Sequence, residues 1–99
     1  DILAKAKGVI ETEIAALHQL IANLDEQFPA AVTTLHDTLS QHHKVVVVGI
    51  GKSGNIGHKI AATLNSTGAT AVVLNSQNAL HGDLGLISDG DAVIILSQS

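Results

Sequence analysis

Cysteine, arginine, tryptophan, tyrosine and methionine are all absent from this 99-residue chain, and Phe28 is its one aromatic residue. Without cysteine there is neither a disulfide nor a thiolate metal site. Without arginine, five lysines face nine acidic residues, and the net charge is -4. That balance argues against a nucleic-acid surface, which needs clustered Lys and Arg against the phosphate backbone. A small anionic substrate is not excluded, because a few local donors suffice for it. No apolar run approaches the ~20 residues of a spanning helix. The longest begins at Val45 and ends by Ile50, and no charged-then-apolar leader opens the chain. The expectation is a soluble, cytoplasmic protein with neither a membrane nor a nucleic-acid partner.

What is present is aliphatic. Hydrophobic residues make up 45% of the chain, and Ala, Val, Ile and Leu carry the core, which suits buried parallel strands flanked by Ala-rich helices. A chain of this length holds one domain at most. Ile2, Ala6, Val9, Ile10, Ile14, Leu17, Leu20, Ile21 and Leu24 fall at helical spacing, predicting one long amphipathic helix. Its apolar stripe is too broad for a small domain to cover, which points to packing on a partner subunit. Pro29 suits the first turn of a second helix, continued by Val32, Leu35 and Leu39 to about residue 41.

The period then changes. Lys44 is followed by four valines and Gly49, a strand buried on both faces. A glycine-rich turn leads to a helix over residues 56–66, which Gly68 ends as a C-terminal cap. Residues 71–74 and 92–96 read as two further strands, with a turn-rich segment over 75–90 between them. The order predicts an α/β fold: a doubly wound, Rossmann-like parallel sheet in the flavodoxin-like order 2-1-3, with helices on both faces and two N-terminal helices ahead of it. The sequence stops at Ser97-Gln98-Ser99, just past a strand end. It is therefore expected to be truncated after the third strand, with residues 1–43 a helical, oligomerising lead-in and 44–99 the first half of the sheet domain.

Gly49-Ile50-Gly51-Lys52-Ser53-Gly54 is a G-x-G-x-x-G turn between strand and helix. Glycines let the main chain approach a phosphate, and the helix N-terminus presents N–H groups and a positive dipole end. A dinucleotide site wants an acidic residue about 20 positions on, and none lies between Lys59 and His81. A nucleotide P-loop wants glycine where Val46 stands. Two readings remain open on the residues alone: a phosphomonoester cradle with Ser53 and Lys52 as donors, or a tight turn whose glycines serve packing only.

The run from Gly49 to Lys59 resembles the first signature of the sugar isomerase (SIS) domain family, and is most similar to its arabinose 5-phosphate isomerase branch, where lysine follows the second glycine. Ser66-Thr67-Gly68, His81-Gly82-Asp83-Leu84-Gly85 and Ser97-Gln98-Ser99 resemble the next landmarks in order. Asn78 stands where that branch carries glutamate, and Gln77-Asn78 replaces a proline-glycine turn. The resemblance implies an SIS-type fold and an aldose–ketose isomerase acting on a phosphorylated sugar, without a metal or other cofactor, as a homotetramer with the first helix at an interface. It further implies that Gly51, Ser53, Gly54, Ser97 and Ser99 hold the substrate phosphate. Lys52 steadies the enediolate, and His81 binds sugar hydroxyls or assists ring opening. The general base lies beyond Ser99, so these 99 residues alone are expected to lack turnover. A non-catalytic sugar-phosphate sensor of the same fold, or an isomerase of another phosphosugar, is the alternative. The other histidines, His18, His36, His42, His43 and His58, lie in or at the ends of predicted helices without metal-ligand spacing.

Overall fold

The computed structural model describes residues 1–75 and 83–97. The chain separates into two compact units, Asp1–Ala31 and Val32–Ser99. The first is dominated by helix α1 (Ile2–Asn23), whose N-terminus is capped by the Asp1 carboxylate accepting from the Ala4 N–H at 2.9 Å. An aspartate there satisfies an otherwise orphan donor and favours the positive dipole end. The helix buries none of its residues. Ile2, Ile10, Leu17 and Ile21 are all more than half exposed, so the stripe read from the sequence stays uncovered. Helix α2 (Gln27–Ser40) starts where the Asp25 carboxylate accepts from the Gln27 N–H. Pro29 falls in its first turn, where no donor is needed.

In the second unit the valine run forms β1 (Val45–Gly49), the central strand of a parallel sheet in the order β2-β1-β3, with β2 at Ala71–Asn75 and β3 at Ala92–Leu96. Val47 stands opposite Val73 on one side and Ile94 on the other. Val45, Val46, Val47 and Leu74 are fully buried, and each contributes about 1.5–3 kcal/mol relative to an exposed side chain. Helix α3 (Ser53–Ser66) connects β1 to β2 and packs on the face that carries Val45 and Val47. Leu35 and Leu39 of α2 join the same cluster. On the other face of β3, Val93 and Ile95 stay 42% and 65% exposed. The parallel α/β sheet and the 2-1-3 order expected from the sequence are thus observed.

Two polar devices hold the frame. The Asn65 side chain clamps the end of α3 to the start of β2. Its amide donates to the Ala71 carbonyl and accepts from the Ala71 N–H, each at 2.9 Å. Gly68, at φ +91°, then ends the helix. The Gly68 N–H reaches the Asn65 carbonyl and the Ala69 N–H the Leu64 carbonyl, the pairing of a Schellman cap. At the N-terminal ends of β1 and β3, the Asp91 carboxylate accepts from Lys44 Nζ at 2.6 Å and from the main-chain N–H groups of Lys44 and Ser88. The segment between β2 and β3 includes a short 3₁₀ turn, Asp83–Leu86, within a stretch read from sequence only as turn-rich. Among the described residues no helix is long and apolar enough to cross a membrane.

Candidate functional site

The glycine turn is built by close approach. A Cβ on Gly49 would stand 2.5 Å from the Gly54 nitrogen and 2.9 Å from the Ser53 carbonyl carbon, so only glycine lets the strand end meet the helix start. Gly51 takes φ +64°, the left-handed conformation glycine adopts at no steric cost. The turn is therefore shorter than sequence spacing suggests. Helix α3 starts at Ser53, three residues before the position where the apolar period begins, and Lys52 is its N-cap.

Lys52 lies in a right-handed helical conformation and gives no side-chain cap, and the first turn of α3 holds no acidic residue. The positive end of the helix dipole is left without a counter-charge. The N–H groups of Ser53, Gly54 and Asn55 reach the carbonyls of Ile50, Gly51 and Lys52, all at 3.3 Å. These contacts are long for an N–H···O bond, and a charged acceptor would compete with them well. Neither the Lys52 nor the Ser53 side chain has a hydrogen bond or ion pair among the described residues.

A depression of about 340 Å³ opens at this point, lined by Ile50, Gly51, Lys52, Ser53 and Ile56. Main-chain pairing brings the end of β3 alongside. Gly49 is in register with Leu96, and the Ile50 N–H donates to the Leu96 carbonyl at 2.9 Å. Ser97, exposed, leaves the sheet from that same point. The turns after the first and third strands thus meet at the carboxyl end of the sheet, where open α/β folds bind ligands. Of the residues singled out by sequence, Gly51, Lys52 and Ser53 line the depression, Gly54 is in the first turn of α3, and Ser97 is at the adjoining strand end. His81 and Ser99 lie outside the described residues.

Sequence reasoning passed over Ile50 and Ile56 as site residues, although they supply the apolar part of the lining and are 44% and 60% exposed. The available signal was Ile50's place between two glycines. Asp91 has a strongly shifted pKa, held down to about 2 chiefly by the Lys44 side chain and then by the Ser88 and Lys44 N–H groups. It sits at the opposite end of the strands and belongs to the frame, not to the depression.

An α/β fold with an uncapped helix N-terminus beside two converging strand ends defines a candidate anion-binding protein. Comparison with known proteins narrows this class. The SIS domain model matches residues 38–99, and the chain belongs to the SIS domain family. It is similar to arabinose 5-phosphate isomerase KdsD of Pseudomonas aeruginosa, with 41% identity over the whole chain, which spans 29% of that relative. It is equally similar to arabinose 5-phosphate isomerase GutQ of Escherichia coli K12, with 41% identity over 99% of the chain and 30% of that protein. A solved structure from E. coli CFT073, in complex with arabinose 5-phosphate, superposes with a TM-score of 0.87 at 34% identity, covering all of this chain and 51% of that one.

Proposed function

We propose that the full-length gene product is a sugar-phosphate aldose–ketose isomerase interconverting D-arabinose 5-phosphate and D-ribulose 5-phosphate. The observation that carries this reading is the uncapped start of α3, where the side chains of Lys52 and Ser53, unpartnered among the described residues, share one depression. The names of the relatives, and the arabinose 5-phosphate in the solved relative, support the choice of sugar phosphate.

In this reading the phosphate binds at Gly51, Ser53 and Gly54, with Ser97 and Ser99 completing the cradle from the end of β3. The dipole and the N–H groups of the first turn favour a dianion. A general base removes the proton from carbon 2 of the aldose and returns it to carbon 1, and the negative charge that develops on the enediolate oxygens is met by the Lys52 ammonium. His81 binds sugar hydroxyls or assists ring opening. We place the base outside residues 1–99. Proton transfer and electrostatic stabilisation account for the chemistry without a cofactor. Residues 1–43 serve as a lead-in and oligomerisation segment and 44–99 as the first half of the sugar-binding domain. The uncovered apolar stripe of α1 supports a homo-oligomer, a tetramer in this reading, acting in the cytoplasm.

A panel assay tests the substrate. Purified full-length protein should form ketose from D-arabinose 5-phosphate and not from unphosphorylated D-arabinose. Equal turnover of both sugars would contradict the phosphate cradle, and preference for another aldose phosphate would replace the substrate.

A further inference from the structure

Helix α3 rests on the sheet through Gly57, which is buried. A Cβ placed there would stand 3.2 Å from Cγ1 of Val47, 3.9 Å from Cδ1 of Leu96 and 3.9 Å from Cγ1 of Val73. Those three side chains belong to β1, β3 and β2, so Gly57 sits over the middle of the sheet, where the helix meets the side chains of all three strands. The first of these spacings is tighter than ordinary Cβ contacts, and Val47 is fully buried in a close-packed core with little room to give.

Ser53 lies four residues before Gly57 on the same face of α3, one turn nearer the N-terminus. A shift in the depth at which Gly57 settles on Val47 would be carried along the helix to Ser53, one turn away. The Gly49–Gly54 contact pins the turn itself, and the Gly57–Val47 contact pins the height of the helix behind it.

We propose that Gly57 and Val47 act as a spacer that positions the phosphate cradle, making Gly57 a positioning residue for substrate binding. This rests on the phosphate-binding reading above. A methyl at Gly57 lifts the start of α3 by a few tenths of an ångström. It lengthens the bonds from Ser53 and the first-turn N–H groups to a phosphate held also from the β3 side. Those bonds are charge-assisted and sensitive to geometry. The residue touches no substrate, and its effect is transmitted through Ser53.

The test uses full-length protein, with inorganic phosphate and D-arabinose 5-phosphate as probes. In Gly57→Ala, the Kd for inorganic phosphate and the KM for the sugar phosphate should rise in parallel, roughly tenfold, the effect of about 1.4 kcal/mol, with a smaller change in kcat. Adding Val47→Ala, which removes the methyl that the introduced Cβ would meet, should bring both constants back to within roughly twofold of Val47→Ala alone. A merely structural role would lower the melting temperature without this parallel rise and its rescue. A folded Gly57→Ala with wild-type phosphate affinity overturns the proposal. If Gly57→Ala does not fold, Val47→Ile presses on the helix from the sheet side and should weaken phosphate binding. Unchanged affinity there overturns the proposal equally. Wild-type protein that binds no phosphate at all overturns the underlying phosphate reading and this inference with it.

Discussion

Gly49 and Gly54 meet backbone to backbone, with no space between them for a Cβ on Gly49. The contact runs one way, because a Cβ on Gly54 would point into open space. Two glycines of one turn are therefore there for different reasons. Gly49→Ala should destabilise the fold by about 3 kcal/mol, as overpacking against rigid backbone does. Gly54→Ala should leave stability unchanged or raise it by up to about 1 kcal/mol, since it adds a helix former in the first turn. Denaturant titration of the two variants checks the contrast. If Gly54 is open so that a phosphate can approach, its alanine variant should also bind inorganic phosphate more weakly despite its intact stability.

Ser53→Ala and Lys52→Ala should separate binding from chemistry. Removing the Ser53 hydroxyl takes one donor from the phosphate and should raise KM roughly tenfold with kcat little changed. Removing the Lys52 ammonium takes charge from the developing enediolate and should lower kcat by roughly 10²–10³-fold. Steady-state kinetics of the full-length variants reads both. An effect of Lys52→Ala on KM alone would move this lysine to the phosphate.

Much of the frame was legible in the sequence because its causes are local. The four valines after Lys44 have only one comfortable place, a central strand, and Gly68 ends α3 by its own conformation. Pro29 likewise falls in the first turn of α2, where its missing N–H costs nothing. The start of α3 was not legible. Apolar periodicity begins at Ile56, whereas the helix begins at Ser53, because three polar or glycine residues at the exposed end carry no periodic signal. The clamp of Asn65 on Ala71 escaped the sequence reading too, since a polar side chain near a helix end has no pattern that announces its partner. For the site, the glycine turn with Lys52 and Ser53 was readable from residue types. The placing of Ser97 near that turn followed from the 2-1-3 order, and the Ile50–Leu96 pairing adds the register. Gly57 carried no signal of its own in the sequence, because its contact with Val47 is a property of packing.

The Asn65 clamp makes its own prediction. Asn65→Ala leaves the Ala71 N–H and carbonyl without their side-chain partner and should cost about 1–3 kcal/mol. Asn65→Asp keeps an acceptor for the N–H but sets a carboxylate against the carbonyl, so it should not rescue the loss. Thermal or urea unfolding of both variants measures it.

Asp91 sets an acid limit on the fold. Its pKa in the folded chain is about 2, below the ordinary 3.8, so the folded state prefers the ionised form. The stability this contributes is fully present above about pH 4 and is lost as pH falls towards 2. Asp91→Asn cannot titrate. The stability gap between wild type and this variant should therefore be constant near neutrality and narrow between about pH 4 and pH 2. A gap that does not change over that range would show that Asp91 is not held ionised by Lys44 and the two N–H groups.

NMR of D-arabinose 5-phosphate in D₂O with the full-length protein reads out whether this SIS domain serves proton transfer on a five-carbon sugar phosphate. Ribulose 5-phosphate should carry deuterium at carbon 1, and the recovered aldose should carry deuterium at carbon 2. Line broadening of the sugar phosphate without conversion or exchange would contradict that role, leaving a phosphosugar-binding module in place of an isomerase.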